Sequence, residues 1–286
     1  MSIESAVRAW AFERGLQRSR LVVSAYRAAS RARFRGRWDE PVEFRGHHFR
    51  IGQDLSLFPA VHNGGFEADE LDALLPLVPR DAVVWDVGAN VGIYAVLLGA
   101  AAPEGRVEAF EPVPATHQRL VDNVAANHSD NVTTHFVALS DTTGTARMAV
   151  HPDAHGCDQI GGLEVDPGAE AIDVPTITGE EFLARSGSGD PDVVKVDIEG
   201  HEPQVLRGAW AMFERRRPLL MMEVNPTAWT GDEQVREWQD TLDRLFALYG
   251  TGLWFETREP REVGAMDVST LDDTRAFTVL FPGRAR

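Results

Sequence analysis

The sequence predicts an α/β fold, with a mostly parallel sheet covered by helices on both faces. Three observations carry this expectation. Short apolar runs alternate with helical stretches from residue 82 to residue 248, a spacing that makes parallel strands joined by crossover helices. The first run ends in VVWDVGANVG, residues 83–92, where Asp86, Gly88, Asn90 and Gly92 follow at two-residue intervals. The last two apolar runs, 253–256 and 277–281, pair as an antiparallel closing hairpin.

The totals agree. A chain of 286 residues with 43% apolar and 25% charged side chains suits one soluble α/β domain with appendages. Its net charge of −16 disfavours a nucleic-acid partner, which needs a basic surface. The charge is uneven, since the first 50 residues hold 11 Arg against 5 acids. Cys157 stands alone, so no intrachain disulfide forms, which fits a reducing compartment. Arg8, Glu13 and Arg14 interrupt the one N-terminal stretch resembling a signal peptide. The longest apolar run, 91–102, is about half a membrane span, so no transmembrane segment is expected. The expectation is a cytoplasmic protein. Among 27 Arg there is a single lysine, Lys195, and an ammonium does not do a guanidinium's work.

In chain order, residues 1–38 read as a basic helical arm with Ile3, Val7 and Trp10 on one face. The arm packs on the core or on a second subunit, making a homodimer, or it meets a membrane surface or acidic partner. VEFRGHHFRIG reads as a hairpin turning near Gly46. Together these make an N-terminal unit, 1–62, ahead of a main domain, 63–286. Leu71, Leu74 and Leu75 mark a helix over 67–77. Strands follow at 82–86, 106–110, 132–139, 145–150, 193–196 and 219–224. Helices follow at 93–101, 114–127, 177–184, 203–213 and 233–248. Residues 151–170 form a long Gly/Asp-rich loop, a lid or filler, that includes His155.

The pattern D-x-G-x-N-x-G at the end of the first core strand suits a ligand approached closely by backbone, with an anionic group at the next helix N-terminus. The dinucleotide string G-x-G-x-x-G is absent here, which counts against an NAD-dependent oxidoreductase. The acid before the glycines suits an ammonium-bearing ligand such as S-adenosylmethionine. Glu111 ends the second strand, where a carboxylate accepts from a ribose diol. Ser140 and Asp141 end the third, beside the place an adenine would lie, although Ser-Asp also favours a plain turn. Glu67, at the start of the preceding helix, joins Asp86, Gly88, Asn90, Gly92, Glu111, Ser140 and Asp141 in the cofactor set.

A second constellation is VVKVDIEGHEPQVLRGA, residues 193–209. Lys195 and Asp197 share a strand face, and Asp197 sits at the carboxyl end, where open α/β sheets place their sites. Lys195 reads as an ion-pair partner of Asp197 or Glu199. Glu223 and Asn225 end the adjacent strand. His155, Glu199 and Asn225 are the substrate candidates.

These runs, VVWDVGANVGIY, FEPVPATHQRLVDNVAAN, VALSD, VVKVDIEGHEPQVLRGA and LLMMEVNP, resemble in order the FkbM family of S-adenosylmethionine-dependent methyltransferases over about residues 66–226. TITGEEFL departs from the family pattern of an Asp after a Leu. The resemblance implies the class I methyltransferase (Rossmann-like) fold, a seven-stranded, mostly parallel sheet with a closing antiparallel hairpin. It also implies O-methylation of a small-molecule hydroxyl, on a sugar or polyketide-type natural product. Two schemes fit. In one, His201 or Asp197 is the general base, with Glu223 beside it. In the other, Asp197, Glu223 and Asn225 hold Mg²⁺, which acidifies the hydroxyl. An RNA substrate, or ligand binding without turnover, is the alternative; the acidic body and the intact site acids oppose these.

Overall fold

In a computed structural model of the chain, the structure describes residues 28–151, 159–160, 169–229, 231–255, 260–271 and 276–284. Most of the basic arm lies outside the described residues, as do His155 and Cys157.

Strands β1 (Val42–Phe44) and β2 (His47–Phe49) form an antiparallel ribbon. Arg45 and Gly46 both take positive φ, 50° and 82°, which matches the twist of a two-residue hairpin. Helix α1 (Leu57–His62) follows, its start held by Asp54, whose Oδ1 accepts from the N–H groups of Ser56 and Leu57. Helix α2 is Ala68–Leu74.

The predicted alternation then begins: β3 (Val83–Val87), α3 (Ile93–Ala101), β4 (Arg106–Phe110), α4 (Pro114–Ala126) and β5 (Val132–His135). Next come β6 (Ala138–Ser140), β7 (Gly144–Val150), β8 (Gln159–Ile160), β9 (Glu170–Thr178) and α5 (Gly179–Ser186). The chain continues through β10 (Val193–Val196), α6 (Glu202–Gly208), α7 (Trp210–Arg216), β11 (Leu219–Val224) and α8 (Asp232–Tyr249). It closes with β12 (Gly252–Phe255), β13 (Arg261–Val263) and β14 (Phe277–Phe281).

The main sheet has eight strands in the order β13-β12-β14-β11-β10-β3-β4-β5. Its five strands from β11 to β5 run parallel, and β14 lies antiparallel between β11 and β12. Both faces are covered, so the parallel strands are apolar on both sides. Val84 points into a core with Leu98 and Phe58, while its neighbour Trp85 points into the opposite core with Phe182 and Phe213. Helix α3 is buried almost all round, which explains its unbroken apolar sequence. The ribbon and α1 belong to the same core, through Phe44, Phe49 and Phe58. Among the described residues, no helix is long and apolar enough to cross a membrane.

The structure departs from the sequence reading in four places. The strand expected over 132–139 is two: β5 stays in the main sheet, while β6 pairs with β9 in a second sheet ordered β6-β9-β7-β8. Strand β9 is hidden in the sequence because Pro175 interrupts its run and a helix signal follows at once. That helix starts at Gly179, since Thr178 caps it by accepting from the Glu181 N–H (3.2 Å). The helix expected over 203–213 breaks at Ala209, where Gly208 packs so tightly that a Cβ there would sit 2.0 Å from the Ser140 carbonyl oxygen. Finally, β13 adds an eighth strand to the seven expected, so β12 and β14 pair as predicted without forming a direct hairpin.

Asp192 locks the central strands together. Its N–H donates to Val83 O (2.7 Å) and its carbonyl accepts from the Leu219 N–H (2.8 Å). Its side chain accepts from the Val83 N–H (2.9 Å) and pairs with Arg216. Asp192→Ala orphans the Val83 donor and Arg216, so urea denaturation should register a loss of about 2–3 kcal/mol. An unchanged midpoint would remove Asp192 from the account of how β3 and β10 are aligned.

Candidate functional site

The strand order reverses between β3 and β10, and a cavity of about 310 Å³ opens at their carboxyl ends. One wall is the glycine turn and the Phe110–Pro112 segment after β4. A second is Asp197, Ile198, Glu199, His201 and Glu223. A third comes from before the sheet, with Leu57, Phe66 and Glu67 among its residues.

The turn after β3 takes positive φ at Gly88 (79°), Asn90 (50°) and Gly92 (91°). The N–H groups of Gly88 and Ala89 both donate to Phe110 O (3.1 and 2.9 Å). A Cβ on Gly88 would lie 2.0 Å from Asp197 O, and one on Gly92 would lie 2.6 Å from Leu120 Cδ1. These glycines are therefore required by close packing against the protein itself, rather than by ligand approach alone.

Glu111 fastens the turn. Its Oε2 accepts from the Asn90 N–H (3.0 Å) and its Oε1 from the Val113 N–H (2.8 Å). Burial pushes its carboxyl up to about 7 despite those two donors. Each oxygen keeps a second lone pair for a diol.

Asp86 is fully buried and lies beneath the turn, not among the residues lining the cavity. Its influence passes through Lys195, its partner in the β3–β10 register. Lys195 Nζ lies 3.7 Å from Asp86 Oδ1 and 3.2 Å from Asp197 Oδ2, and donates to Gly88 O (3.2 Å). The expected Lys195–Asp197 ion pair is thus present. Burial works to lower the Lys195 pKa, but Asp197, Asp86 and Glu67 outweigh it and raise it overall. Burial raises Asp86 to about 6.

Oxygens of Asp197, Glu199 and Glu223 all lie within 4.8 Å of one another. Burial, then repulsion from Asp197 and Glu199, holds the Glu223 carboxyl well above its ordinary range. Asn225 is not free to join them as a ligand. Its Nδ2 donates to Glu199 Oε2 (2.7 Å), and its Oδ1 accepts from the Thr227 hydroxyl (2.5 Å) and N–H (3.2 Å). Geometry thus replaces the expected set Asp197, Glu223 and Asn225 with Asp197, Glu199 and Glu223, Asn225 orienting Glu199.

His201 lines the cavity, with Nε2 3.0 Å from Ser140 Oγ. Burial pushes its pKa down to about 4, so the ring is neutral near pH 7 and a weak base. Ser140 and Asp141 lie behind it, and Asp141 pairs with Arg207 (2.9 Å). Glu67 does line the cavity, from a left-handed backbone (φ 38°). Its Oε2 accepts from the Tyr94 hydroxyl (2.6 Å), and burial followed by Asp197 raises it to about 7. Sequence reasoning missed Tyr94; the available signal was one phenol in an otherwise aliphatic helix, IYAVLLGAA.

The residues fit the expected cofactor. Asn90 Oδ1 and Glu223 Oε2 are buried without a partner among the described residues, and both residues line the cavity. A ligand bringing an ammonium and hydroxyls supplies the donors they lack.

A family model described as the methyltransferase FkbM domain matches residues 86–248, more than half of the chain. The hexuronic acid methyltransferase AglP of Haloferax volcanii is 33% identical over 142 residues, covering 50% of this chain and 56% of that one. The 31-O-demethyl-FK506 methyltransferase FkbM of Streptomyces tacrolimicus is 31% identical over 159 residues, covering 46% and 60%. The chain thus spans less than two thirds of either relative's length. Among solved structures, a methyltransferase FkbM from Methylobacillus flagellatus KT is 16% identical, with a TM-score of 0.44, covering 71% of this chain and 44% of that one.

Two outcomes follow from this geometry. Gly88→Ala places a Cβ against Asp197 O at a positive φ and should cost about 3 kcal/mol or more. Gly46→Ala has the same sign of φ but open space around its Cβ, and should cost about 1–2 kcal/mol. Equal losses in thermal denaturation would refute the close-packing account. The second outcome concerns pH. Glu67, Glu111 and Glu202 hold protons to about 7 in the folded chain, above the ordinary range near 4. The folded state therefore binds more protons than the unfolded one, and this stability is lost as pH rises through 7. His201 acts oppositely only below about pH 6.5. The unliganded protein should melt at a lower temperature at pH 8 than at pH 6.5; a rise would contradict the burial of these acids.

Proposed function

We propose that this chain, which belongs to the FkbM methyltransferase family, transfers a methyl group from S-adenosylmethionine to a hydroxyl oxygen of a small molecule. The observation that carries this reading is Glu111 at the end of β4, tied to the Asn90 N–H of the glycine turn after β3. That pairing aims a carboxylate and a bent backbone at one end of the cavity, as a ribose diol requires.

When bound, S-adenosylmethionine supplies an electrophilic methyl carbon on a sulfonium. Glu111 and the turn would hold its ribose. Glu67 and the neighbouring acids would suit its cationic end. The Asp197–Glu199–Glu223 group would receive the acceptor's proton as the oxygen–carbon bond forms and the sulfur–carbon bond breaks, with the neutral thioether S-adenosylhomocysteine as the leaving group. Glu223, whose carboxyl burial holds well above its ordinary range, is a good proton acceptor when ionised. His201 stays neutral and orients through Ser140.

The relatives named for a hexuronic acid and for demethyl-FK506 support an acceptor that is a sugar or a polyketide-type product. A second reading has the same three carboxylates hold Mg²⁺, which would acidify the acceptor hydroxyl.

Titration calorimetry with S-adenosylhomocysteine, with NAD as the control, tests the reading; binding of NAD alone overturns it. Glu111→Ala should weaken S-adenosylhomocysteine about tenfold or more. Glu223→Gln should leave that affinity within a few-fold while lowering kcat at least about a hundredfold. The acceptors for this assay are hexuronic acids, neutral sugars and hydroxylated polyketides. Loss of turnover in EDTA, restored by Mg²⁺, would select the metal reading.

A further inference from the structure

Part of the cavity is built by residues that precede the 86–248 family match. Ser56, Leu57, Ala60, Gly65 and Phe66 line it. They are carried on the segment that starts with the β1–β2 ribbon, whose strands, among the described residues, pair only with each other. The outer edge of β2 would leave backbone groups without strand partners.

Two asparagines, Asn123 on α4 and Asn127 capping its C-terminus, take the place of the missing strand. Asn127 Oδ1 accepts from the His48 N–H (2.9 Å) and its Nδ2 donates to His48 O (2.7 Å). One turn earlier, Asn123 Oδ1 accepts from the Arg50 N–H (2.8 Å) and its Nδ2 donates to Arg50 O (3.0 Å). His48 and Arg50 are two apart, so they present their backbone to the same edge, and two residues four apart at the end of α4 and its C-cap meet them in step. The two side chains differ in one respect. The second Nδ2 hydrogen of Asn123 donates to Val91 O (2.7 Å), inside the glycine turn. Asn123 is 1% exposed. A single carboxamide therefore joins the ribbon to the turn, and its orientation is fixed because both Nδ2 partners are carbonyl oxygens.

We propose that Asn123 is a positioning residue for the reaction, setting the glycine turn against the N-terminal ribbon so that the cofactor end of the cavity and its N-terminal wall form as one unit. The part that concerns the cofactor rests on the methyltransferase reading. The part that concerns the turn does not. Asn127 is the internal control, since it grips the ribbon in the same manner while its other Nδ2 hydrogen donates to Asn123 O (2.8 Å) at the helix end rather than to the turn.

The test compares Asn123→Ala, Asn123→Asp and Asn127→Ala by amide hydrogen exchange of the unliganded protein and by calorimetry with S-adenosylhomocysteine. Asn127→Ala should speed exchange in residues 47–50 alone and leave affinity within about twofold. Asn123→Ala should speed exchange in 47–50 and in 89–92, and weaken binding about tenfold or more. Asn123→Asp keeps the acceptor for Arg50 but cannot donate to Val91, so it should resemble Asn123→Ala at the turn. It also carries the comparison if the alanine variant fails to fold. Identical exchange profiles for the Asn123 and Asn127 variants overturn the proposal, as does wild-type affinity in both Asn123 variants. If the wild type itself binds no S-adenosylhomocysteine, the methyltransferase reading fails, and exchange at 89–92 still decides the role of Asn123.

Discussion

The carboxylates of Asp86 and Asp197 and the carbonyl of Gly88 converge on one buried ammonium, that of Lys195. The site depends on this junction. An unpaired buried ammonium would shed its proton, and unpaired buried carboxylates would take one up. Here each charge is the other's solvent. The ammonium also lies 5.0 Å from the centre of the Tyr94 ring, and Tyr94 in turn donates to Glu67. One cation thus links the ends of β3 and β10 to α3 and to the start of α2. A guanidinium, planar and longer, would not place its charge at the same point, which gives a physical reason for an ammonium in a chain otherwise rich in Arg.

The junction leaves an imbalance that bears on ligand choice. Glu67, Asp197, Glu199 and Glu223 line the cavity with Lys195 as the cation among the lining residues, and burial first, then repulsion from Asp197, raises the carboxyls of Glu67 and Glu223. A ligand with positive charge relieves the repulsion. The turn and the acids are packed closely where the crowding is greatest, since a Cβ on Gly88 would lie 2.0 Å from Asp197 O. The Asp197 N–H donates to Val87 O (3.1 Å), which ties the segment that carries the acids to the start of the glycine turn.

Much of this was legible in the sequence where one physical rule dominates. Strands buried on both faces, such as 83–87 and 193–196, announce themselves by apolar runs, and the helices between them by their period. The acids at strand ends were legible because parallel topology fixes where strand ends go. What was not legible depends on partners far away in the chain. Strand β6 looks continuous with β5, yet it pairs with β9 nearly forty residues on, as Ala138 opposite Thr176 requires. Asn225 carries the right atoms for a metal ligand, but Thr227 and Glu199 occupy them. Asp86 has the right position for a ligand contact, but the register with Lys195 turns it inward. His201 has the right titration range in water, but burial removes it.

Because the chain's single lysine is also the hub of its buried charge network, a lysine-specific protease finds its one cleavage point only when β10 opens. A cut between Lys195 and Val196 would divide the chain into two fragments of unequal size and destroy the sheet at its centre. Digestion at a fixed protease concentration therefore acts as a clock for opening of the central strand alone, unblurred by nicks in surface loops. Any small molecule that settles in the cavity would slow that clock, so the intact band on a gel reports ligand binding.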